Sequence, residues 1–179
     1  MRKIILIGGD LASGKSTYSR FLSKKYNLSL INKDRLKEIL GDHIETKNRE
    51  ENKNLSVTSF ALIKYLIKNI KTDLIIESNF KPYEMEELKE FEKDNDILSL
   101  HFFGDNEILH DRFLKRLKEG RHHVHKSQDF SNINDFIPVL NELRNVSYIG
   151  EVIRVDATKT TDITKDFELL TKVEEFIQK

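Results

Sequence analysis

Short apolar runs alternate along the chain with longer stretches in which apolar residues recur at helical spacing. Apolar runs of about four to eight residues between turn residues are typical of buried strands. The predicted strands are Lys3–Ile7, Leu28–Ile31, Asp73–Glu77, Ile97–Phe103 and Glu151–Val155. The periodic stretches predict helices over Gly14–Tyr26, Asp34–Leu40, Glu50–Lys71, Pro82–Lys93, Asn106–Glu119, Asn134–Val146 and Asp162–Ile177. This alternation favours an α/β fold, with helices on both faces of a parallel sheet.

The composition indicates a globular chain with a strongly charged surface. The 179 residues suit one domain (1–179), and 34% of them are charged. Equal numbers of basic and acidic residues, 30 of each, exclude a uniformly basic nucleic-acid binder. The absence of Cys excludes a disulfide scaffold, a thiolate metal site and a Cys nucleophile. No apolar run has the length of a membrane span or a signal-peptide core, so we expect a cytoplasmic protein without a membrane partner. The sequence gives no indication of the oligomeric state.

A glycine-rich segment joins the first predicted strand to the first predicted helix. Gly9-Asp10-Leu11-Ala12-Ser13-Gly14-Lys15-Ser16 fits the pattern G-x-x-x-x-G-K-[ST]. In such a loop, backbone N–H groups converge on phosphate oxygens, the lysine reaches the β and γ phosphates, and the serine hydroxyl ligates Mg²⁺. Thr17, in the first helical turn, could also contact a phosphate. A glycine-rich turn that merely precedes a lysine is the alternative, but strand, loop and helix come in the required order.

The segment after the second strand favours a phosphotransferase among the proteins that share this loop. Asn32-Lys33-Asp34 has the wrong spacing for the guanine-reading N-K-x-D motif of GTPases. Asp34 is the candidate base for the proton of an acceptor hydroxyl. The alternative is that Asp34 only caps the next helix. Lys37 and Arg35 could hold an anionic part of the acceptor.

The third strand also ends in polar residues. Glu77 closes an apolar run, where a buried acid is costly unless it is paired or near a metal. It could hold Mg²⁺ through water or help to orient the acceptor, while Ser78 and Asn79 could hydrogen-bond the acceptor. Alternatively, Glu77 only marks the exit of the strand into solvent. The usual apolar run ending in Asp, which holds the metal in many such proteins, is missing except for Val155-Asp156.

Residues 106–132 are predicted to form a lid over the site. Arg112 and Arg116 lie four apart on one helix, and Arg121 follows the potential hinge Gly120. Arginines of a closing segment can stabilise the charge that develops during phosphoryl transfer; the alternative is an ordinary charged helix face. His122, His123 and His125 lack a nearby Cys or carboxylate for a metal site, and His123 is instead a candidate contact of the acceptor. Ala157 and Thr158, after the last strand, are candidate contacts of the nucleobase; the alternative is that they form only a capped turn into the last helix.

Four blocks together carry a family resemblance: K-I-I-L-I-G-G-D-L-A-S-G-K-S-T, I-N-K-D-R-L-K, I-I-E-S-N-F and R-F-L-K-R. With them the sequence resembles the polynucleotide kinase-like P-loop kinases. This group includes phage-type polynucleotide 5′-hydroxyl kinases, chloramphenicol phosphotransferase-like enzymes and zeta toxin-like kinases, and the phage-type kinase domain offers the nearest parallel. The resemblance implies a three-layer α/β/α fold with strand order 2-3-1-4-5, and ATP with Mg²⁺. It implies that Asp34 is the general base, that Arg116 is a lid arginine and that Lys37 faces a substrate phosphate.

Three functions remain open from the sequence. The first is an ATP-dependent kinase acting on a hydroxyl of a small-molecule or nucleotide-like acceptor. The second is a polynucleotide 5′-hydroxyl kinase, which the zero net charge does not favour, because binding of a long polyanion depends largely on neutralising its phosphates. The third is a nucleotide-binding switch without catalysis.

Overall fold

A five-stranded, wholly parallel sheet forms the centre of the computed structural model, which describes residues 1–120, 122–125 and 130–179. The strand order is β2-β3-β1-β4-β5, as the resemblance implied. The strands are β1 (Arg2–Gly9), β2 (Ser29–Asn32), β3 (Leu74–Glu77), β4 (Asn95–Phe103) and β5 (Glu151–Asp156). The α/β fold predicted from the alternation of strands and helices is confirmed.

Seven α-helices connect and cover the strands within the described ranges. They are α1 (Lys15–Tyr26), α2 (Lys33–His43), α3 (Arg49–Asn69), α4 (Pro82–Leu88), α5 (Asn106–Lys118), α6 (Ile133–Arg144) and α7 (Phe167–Gln178). None of the helices in these ranges is long and apolar enough to span a membrane.

Three local predictions from the sequence need correction. The helix predicted over Pro82–Lys93 ends at Leu88 and continues as a 3-10 turn. The last helix begins at Phe167, because Asp162 first caps a separate 3-10 turn and Asp166 then caps α7. A further 3-10 turn, His123–His125, lies within the segment predicted as a loop.

The two faces of the sheet carry separate hydrophobic cores. Successive strand side chains point to opposite faces, so Ile4 and Leu6 of β1 pack towards α3 and α4. Ile5 and Ile7 pack towards α1 and α7 on the other face. All four side chains are at most 1% exposed. This burial on both faces explains why β1 is an unbroken apolar run.

A third core attaches α5 and α6 to the carboxyl edge of the sheet. It consists of Ala12, Leu109, Phe113, Phe136 and Leu140, with Leu11 packed against it. Because Leu11 and Ala12 belong to the glycine-rich loop, this cluster fixes both helices directly against that loop.

Substitution of Tyr18 by Phe tests the packing under the loop. The Tyr18 hydroxyl is fully buried and has no hydrogen-bond partner among the described residues. We expect Tyr18→Phe to keep the free energy of unfolding or raise it by up to about 1 kcal/mol, because an unpaired buried hydroxyl is unfavourable. Urea unfolding followed by circular dichroism measures the change.

Tyr26→Phe is the matched control, since the Tyr26 hydroxyl donates to Glu174 Oε1 at 2.6 Å. The free energy of unfolding of this variant should be lower by about 1 kcal/mol. A comparable loss in Tyr18→Phe would show that its hydroxyl is hydrogen-bonded.

Candidate active site

The glycine-rich loop folds tightly over the end of β4. Gly9 has φ +113°, and a Cβ atom there would lie 1.9 Å from the carbonyl oxygen of Phe102. Ala12 and Gly14 also adopt positive φ angles, of 57° and 85°. Any side chain at position 9 would therefore displace the backbone of the sheet, and the loop requires glycine at this point.

Lys15 points back into the loop that precedes it. Its ammonium group donates to the carbonyl oxygen of Gly9 at 3.1 Å and to that of Asp10. Burial lowers the pKa of Lys15 to about 8, while the negative charges of Glu77, Asp34 and Asp10 oppose this change. The result is a desolvated cation held by backbone carbonyls.

The first turn of α1 adds backbone donors at the same place. The helix begins at Lys15, and Gly14 precedes it at the N-cap position without a side chain to satisfy the free N–H groups. A helix N-terminus of this kind carries a partial positive charge and binds anions. The loop, Lys15 and the helix end together fit a phosphate chain.

Ser16, Glu77 and Asn32 form a hydrogen-bonded group beside the loop. The Ser16 hydroxyl donates to Glu77 Oε1 at 3.0 Å, and Asn32 Nδ2 donates to the other carboxylate oxygen. Glu77 is 5% exposed, and burial raises its pKa although the charge of Lys15 opposes this. A serine hydroxyl and an adjacent carboxylate are oxygen donors of the kind that Mg²⁺ prefers, so these residues fit a magnesium ion. The alternative that Glu77 merely exits into solvent is wrong.

The sequence patterns did not indicate a role for Asn32. Its Oδ1 atom accepts from the backbone N–H of Arg35 at 2.7 Å, which makes Asn32 the N-cap of α2. The alternative reading of Asp34 as the helix cap is therefore wrong. Asp34 lies in the first turn of α2 with an exposed side chain.

Nine of the predicted site residues line one cleft of about 1060 Å³. Lys15, Asp34, Arg112 and Arg116 all line it, as do Ala12, Ser13, Gly14, Ser16 and Thr17 of the loop and first helical turn. Arg35 also lines the cleft. A desolvated lysine, an exposed carboxylate and the guanidinium groups of these three arginines thus line one space.

The two described lid arginines occupy different environments. Arg112 Nη1 donates to the carbonyl oxygen of Ala157 at 2.9 Å, just beyond β5. Arg116 is exposed, and its charge contributes to the lowered pKa of Lys15. Thr158 is fixed by Asp156, to which its hydroxyl donates at 2.7 Å. Arg121, the third predicted lid arginine, lies outside the described residues.

Several predicted acceptor contacts, including Glu77, do not line the cleft. Lys37 donates to the carbonyl oxygen of Val124 at 3.4 Å, and burial lowers the pKa of Lys37. Ser78 is buried, and Asn79 is half-buried. His123 is exposed, with Nε2 3.2 Å from the carbonyl oxygen of Gly41.

An ion pair between half-buried Arg144 and fully buried Asp10, which the sequence did not indicate, supports the loop. Arg144, at the end of α6, donates to Asp10 Oδ2 through Nε at 2.8 Å and Nη2 at 2.6 Å. Nη2 also donates to the carbonyl oxygen of Gly104. Burial raises the pKa of Asp10, and the hydrogen bonds from Arg144 oppose this. The pair connects the loop, α6 and the end of β4.

The lysine that precedes Asp34 anchors the start of α2. Lys33 forms an ion pair with Glu84 of α4, whose side chain is fully buried. The Glu84 carboxylate also accepts from the backbone N–H of Lys81 at 3.1 Å. These contacts hold the first turn of α2, and with it Asp34, at the edge of the cleft.

Comparison with known proteins identifies the fold. No protein-family model matches the sequence, and no curated protein matches it significantly. A candidate kinase from Chloroflexus aurantiacus is 22% identical, with a TM-score of 0.77 over 96% of this chain and 97% of that chain. Shikimate kinase from Bacteroides thetaiotaomicron is 14% identical, with a TM-score of 0.66 over 98% of both chains. A chain of a Pnkp1/Rnl/Hen1 RNA repair complex is 20% identical, with a TM-score of 0.58 over 80% of this chain and 44% of that chain. These similarities show the α/β/α fold of P-loop kinases.

Loss of Arg144 should destabilise the protein through Asp10. We expect Arg144→Met to lower the free energy of unfolding by about 3 kcal/mol, because it leaves a buried carboxylate without its cation. The double variant Asp10→Asn/Arg144→Met should recover part of this loss, since it removes both charges. Urea unfolding of the two single variants and the double variant completes the cycle, and strictly additive effects would contradict the pairing.

Proposed function

We propose that the protein is an ATP-dependent kinase that transfers the γ-phosphate to a hydroxyl group of a small molecule. The observation that carries the proposal is the shared cleft, which Lys15, Asp34, Arg112 and Arg116 line together. A nucleotide switch without catalysis needs the glycine-rich loop but no base for an acceptor hydroxyl, which is the role that Asp34 would have in a kinase. The structural likeness to kinases that act on small molecules supports the same class.

The loop and Lys15 bind the phosphate chain of the nucleotide. Lys15 turns from the carbonyl oxygens of Gly9 and Asp10 towards the incoming phosphates, and the N–H groups of the first turn of α1 face the same oxygens. Ser16 and, through water, Glu77 would hold Mg²⁺, which neutralises charge on the phosphates during transfer. Arg112 lies beside the backbone of Ala157 and Thr158, where the nucleobase would lie.

Asp34 acts as the general base in this scheme. Its carboxylate takes the proton of the acceptor hydroxyl while the oxygen–phosphorus bond forms. The bond between the γ-phosphorus and the bridging oxygen breaks, and ADP leaves. Arg116 and Arg121 would stabilise the negative charge on the transferred group.

The cleft suits a small acceptor. Its volume of about 1060 Å³ is near the upper end of ordinary ligand pockets, which is enough for a nucleotide with a small second substrate. Arg35, which lines the cleft near Asp34, could bind an anionic group of that acceptor. Lys37, Ser78, Asn79 and His123 are less suited to direct contact, because none of them lines the cleft.

Removal of the proposed base should abolish transfer without abolishing nucleotide binding. We expect Asp34→Asn to bind ATP normally and to lose about 100-fold or more in kcat, because an amide cannot accept the hydroxyl proton. Transfer of labelled γ-phosphate is measured on sugars, sugar acids and cyclic polyols, with a 5′-hydroxyl oligonucleotide as a separate arm.

Asp111→Asn, an exposed change on α5, is the matched control and should keep full activity. Equal turnover in Asp34→Asn and the unchanged protein would exclude Asp34 as the base. Labelling of the oligonucleotide alone would favour a polynucleotide kinase, whereas ATP binding without any labelled acceptor would favour the switch.

The lowered pKa of Lys15 predicts proton uptake on nucleotide binding. Without nucleotide, burial lowers the pKa of Lys15 to about 8, and phosphate groups beside it would raise this pKa. Binding at pH 8 to 9 should therefore take up part of a proton, whereas at pH 6.5 Lys15 is already charged and contributes no uptake. Calorimetric titration with ATP in two buffers of different ionisation enthalpy measures this. Equal binding enthalpies in both buffers at pH 8.5 would disprove a titrating Lys15.

A further inference from the structure

The turn His123–His125 is docked on the C-terminal half of α2. Val124 is 2% exposed and packs against Gly41, where an added Cβ atom would lie 2.2 Å from Val124 Cγ1. The carbonyl oxygen of Val124 accepts from Asn52 Nδ2 at 2.9 Å and from Lys37 at 3.4 Å. These contacts from α2 and α3 hold the adjacent histidines at a fixed place beside α2.

Three metal-binding side chains converge at this contact. A carboxylate oxygen of Asp42 and one ring nitrogen each of His122 and His123 all lie within 4.8 Å of one another. His122 Nε2 and Asp42 Oδ1 are 2.9 Å apart, and the two imidazole centroids are separated by 4.3 Å. Around a tetrahedral ion with bonds of about 2.0–2.1 Å, ligand atoms are about 3.4 Å apart. Small side-chain rotations would therefore bring these groups to ligand distance.

The surroundings of His123 orient its ring for this role. Its Nε2 atom lies 3.2 Å from the carbonyl oxygen of Gly41. A carbonyl group only accepts, so Nε2 donates in this contact, and in the neutral ring Nδ1 then carries the lone pair that a metal ion needs. Histidine ligands in metal sites usually donate their second N–H group in this way to a backbone carbonyl or a carboxylate.

The geometry points to Asp42, His122 and His123 as a binding site for a divalent transition-metal ion of the Zn²⁺ type. Two imidazoles and one carboxylate match the ligands of such ions and not those of Mg²⁺, which prefers oxygen donors alone. The sequence had not indicated this site, because its carboxylate comes from α2, 80 residues before His122. With three protein ligands, the fourth position is open to water.

Such an ion would fix the lid segment to α2. His122 and His125 line the cleft, and Asp34 lies on the same helix as Asp42. We expect occupancy to slow turnover, because a lid held on α2 hinders product release. This consequence rests on the proposed kinase function, whereas the binding of the ion does not.

Binding of Co²⁺ and Zn²⁺ to the full chain tests the site directly. The protein is titrated without nucleotide, in excess Mg²⁺, so that oxygen ligands near the phosphate loop do not compete. We expect one Co²⁺ per chain, with the visible absorption of tetrahedral nitrogen and oxygen ligation, and displacement of Co²⁺ by one equivalent of Zn²⁺. His122→Gln, His123→Gln and Asp42→Asn should each weaken Zn²⁺ binding at least about tenfold.

His43→Gln is the matched control, since His43 is an exposed histidine adjacent to Asp42 and outside the ligand set. It should bind Zn²⁺ like the unchanged protein. Circular dichroism shows whether each variant is folded. Absence of stoichiometric Co²⁺ binding, or an equal loss in His43→Gln, would overturn the site.

The activity readout separates the two proposals. If the kinase proposal fails, no acceptor is labelled, yet Co²⁺ binding and its loss in the three variants are unaffected. If the metal proposal fails, phosphate transfer proceeds and no stoichiometric ion binds. If both proposals hold, Zn²⁺ slows phosphate transfer by the unchanged protein but does not slow phosphate transfer by His122→Gln.

Discussion

The buried ammonium group of Lys15 is the constraint on which the rest of the structure depends. A charge away from water is tolerated only where hydrogen bonds surround it, and the loop must curl so that the carbonyl oxygens of Gly9 and Asp10 reach it. That curl requires the positive φ angles at positions 9, 12 and 14 and presses the loop against β4. The negative charges of Glu77, at the end of β3, and of Asp34, in the first turn of α2, favour the charged form of Lys15.

The loop is also the support of the helices around it. Ala12 belongs to the apolar cluster of α5 and α6, and Asp10 holds Arg144. Leu109 and Phe113 of α5 therefore pack directly against the loop. The proposed hinge residue Gly120 lies beyond this packed part, with φ +89° and no atom of the described residues within 4 Å of an added Cβ.

Local patterns predicted the fold and the loop, because both are encoded in neighbouring residues: buried strands as apolar runs, and the loop as glycine, lysine and serine at fixed spacing. Contacts between distant residues were not predictable. Arg144 looks like any basic residue near a helix end, yet its partner is 134 positions away. Nothing in the sequence distinguishes Asp42 from the other acidic residues, because only the fold brings α2 next to the turn His123–His125. The start of the last helix was misplaced because Asp162 and Asp166 are both good caps, and the structure uses each for a different turn.

The two hydrogen bonds of the Asn32 amide restrict which residues can stand at position 32. Its oxygen faces the N–H group of Arg35, and its nitrogen faces the Glu77 carboxylate, so the amide has only one usable orientation. Asp has the same shape and is an equally good helix cap, but it would set a second negative charge against Glu77. Ser could cap α2 but is too short to reach β3. Few other residues can therefore replace Asn32. A substitution there would remove both the hydrogen bond to Glu77 beside the glycine-rich loop and the N-cap of α2, the helix that carries Asp34.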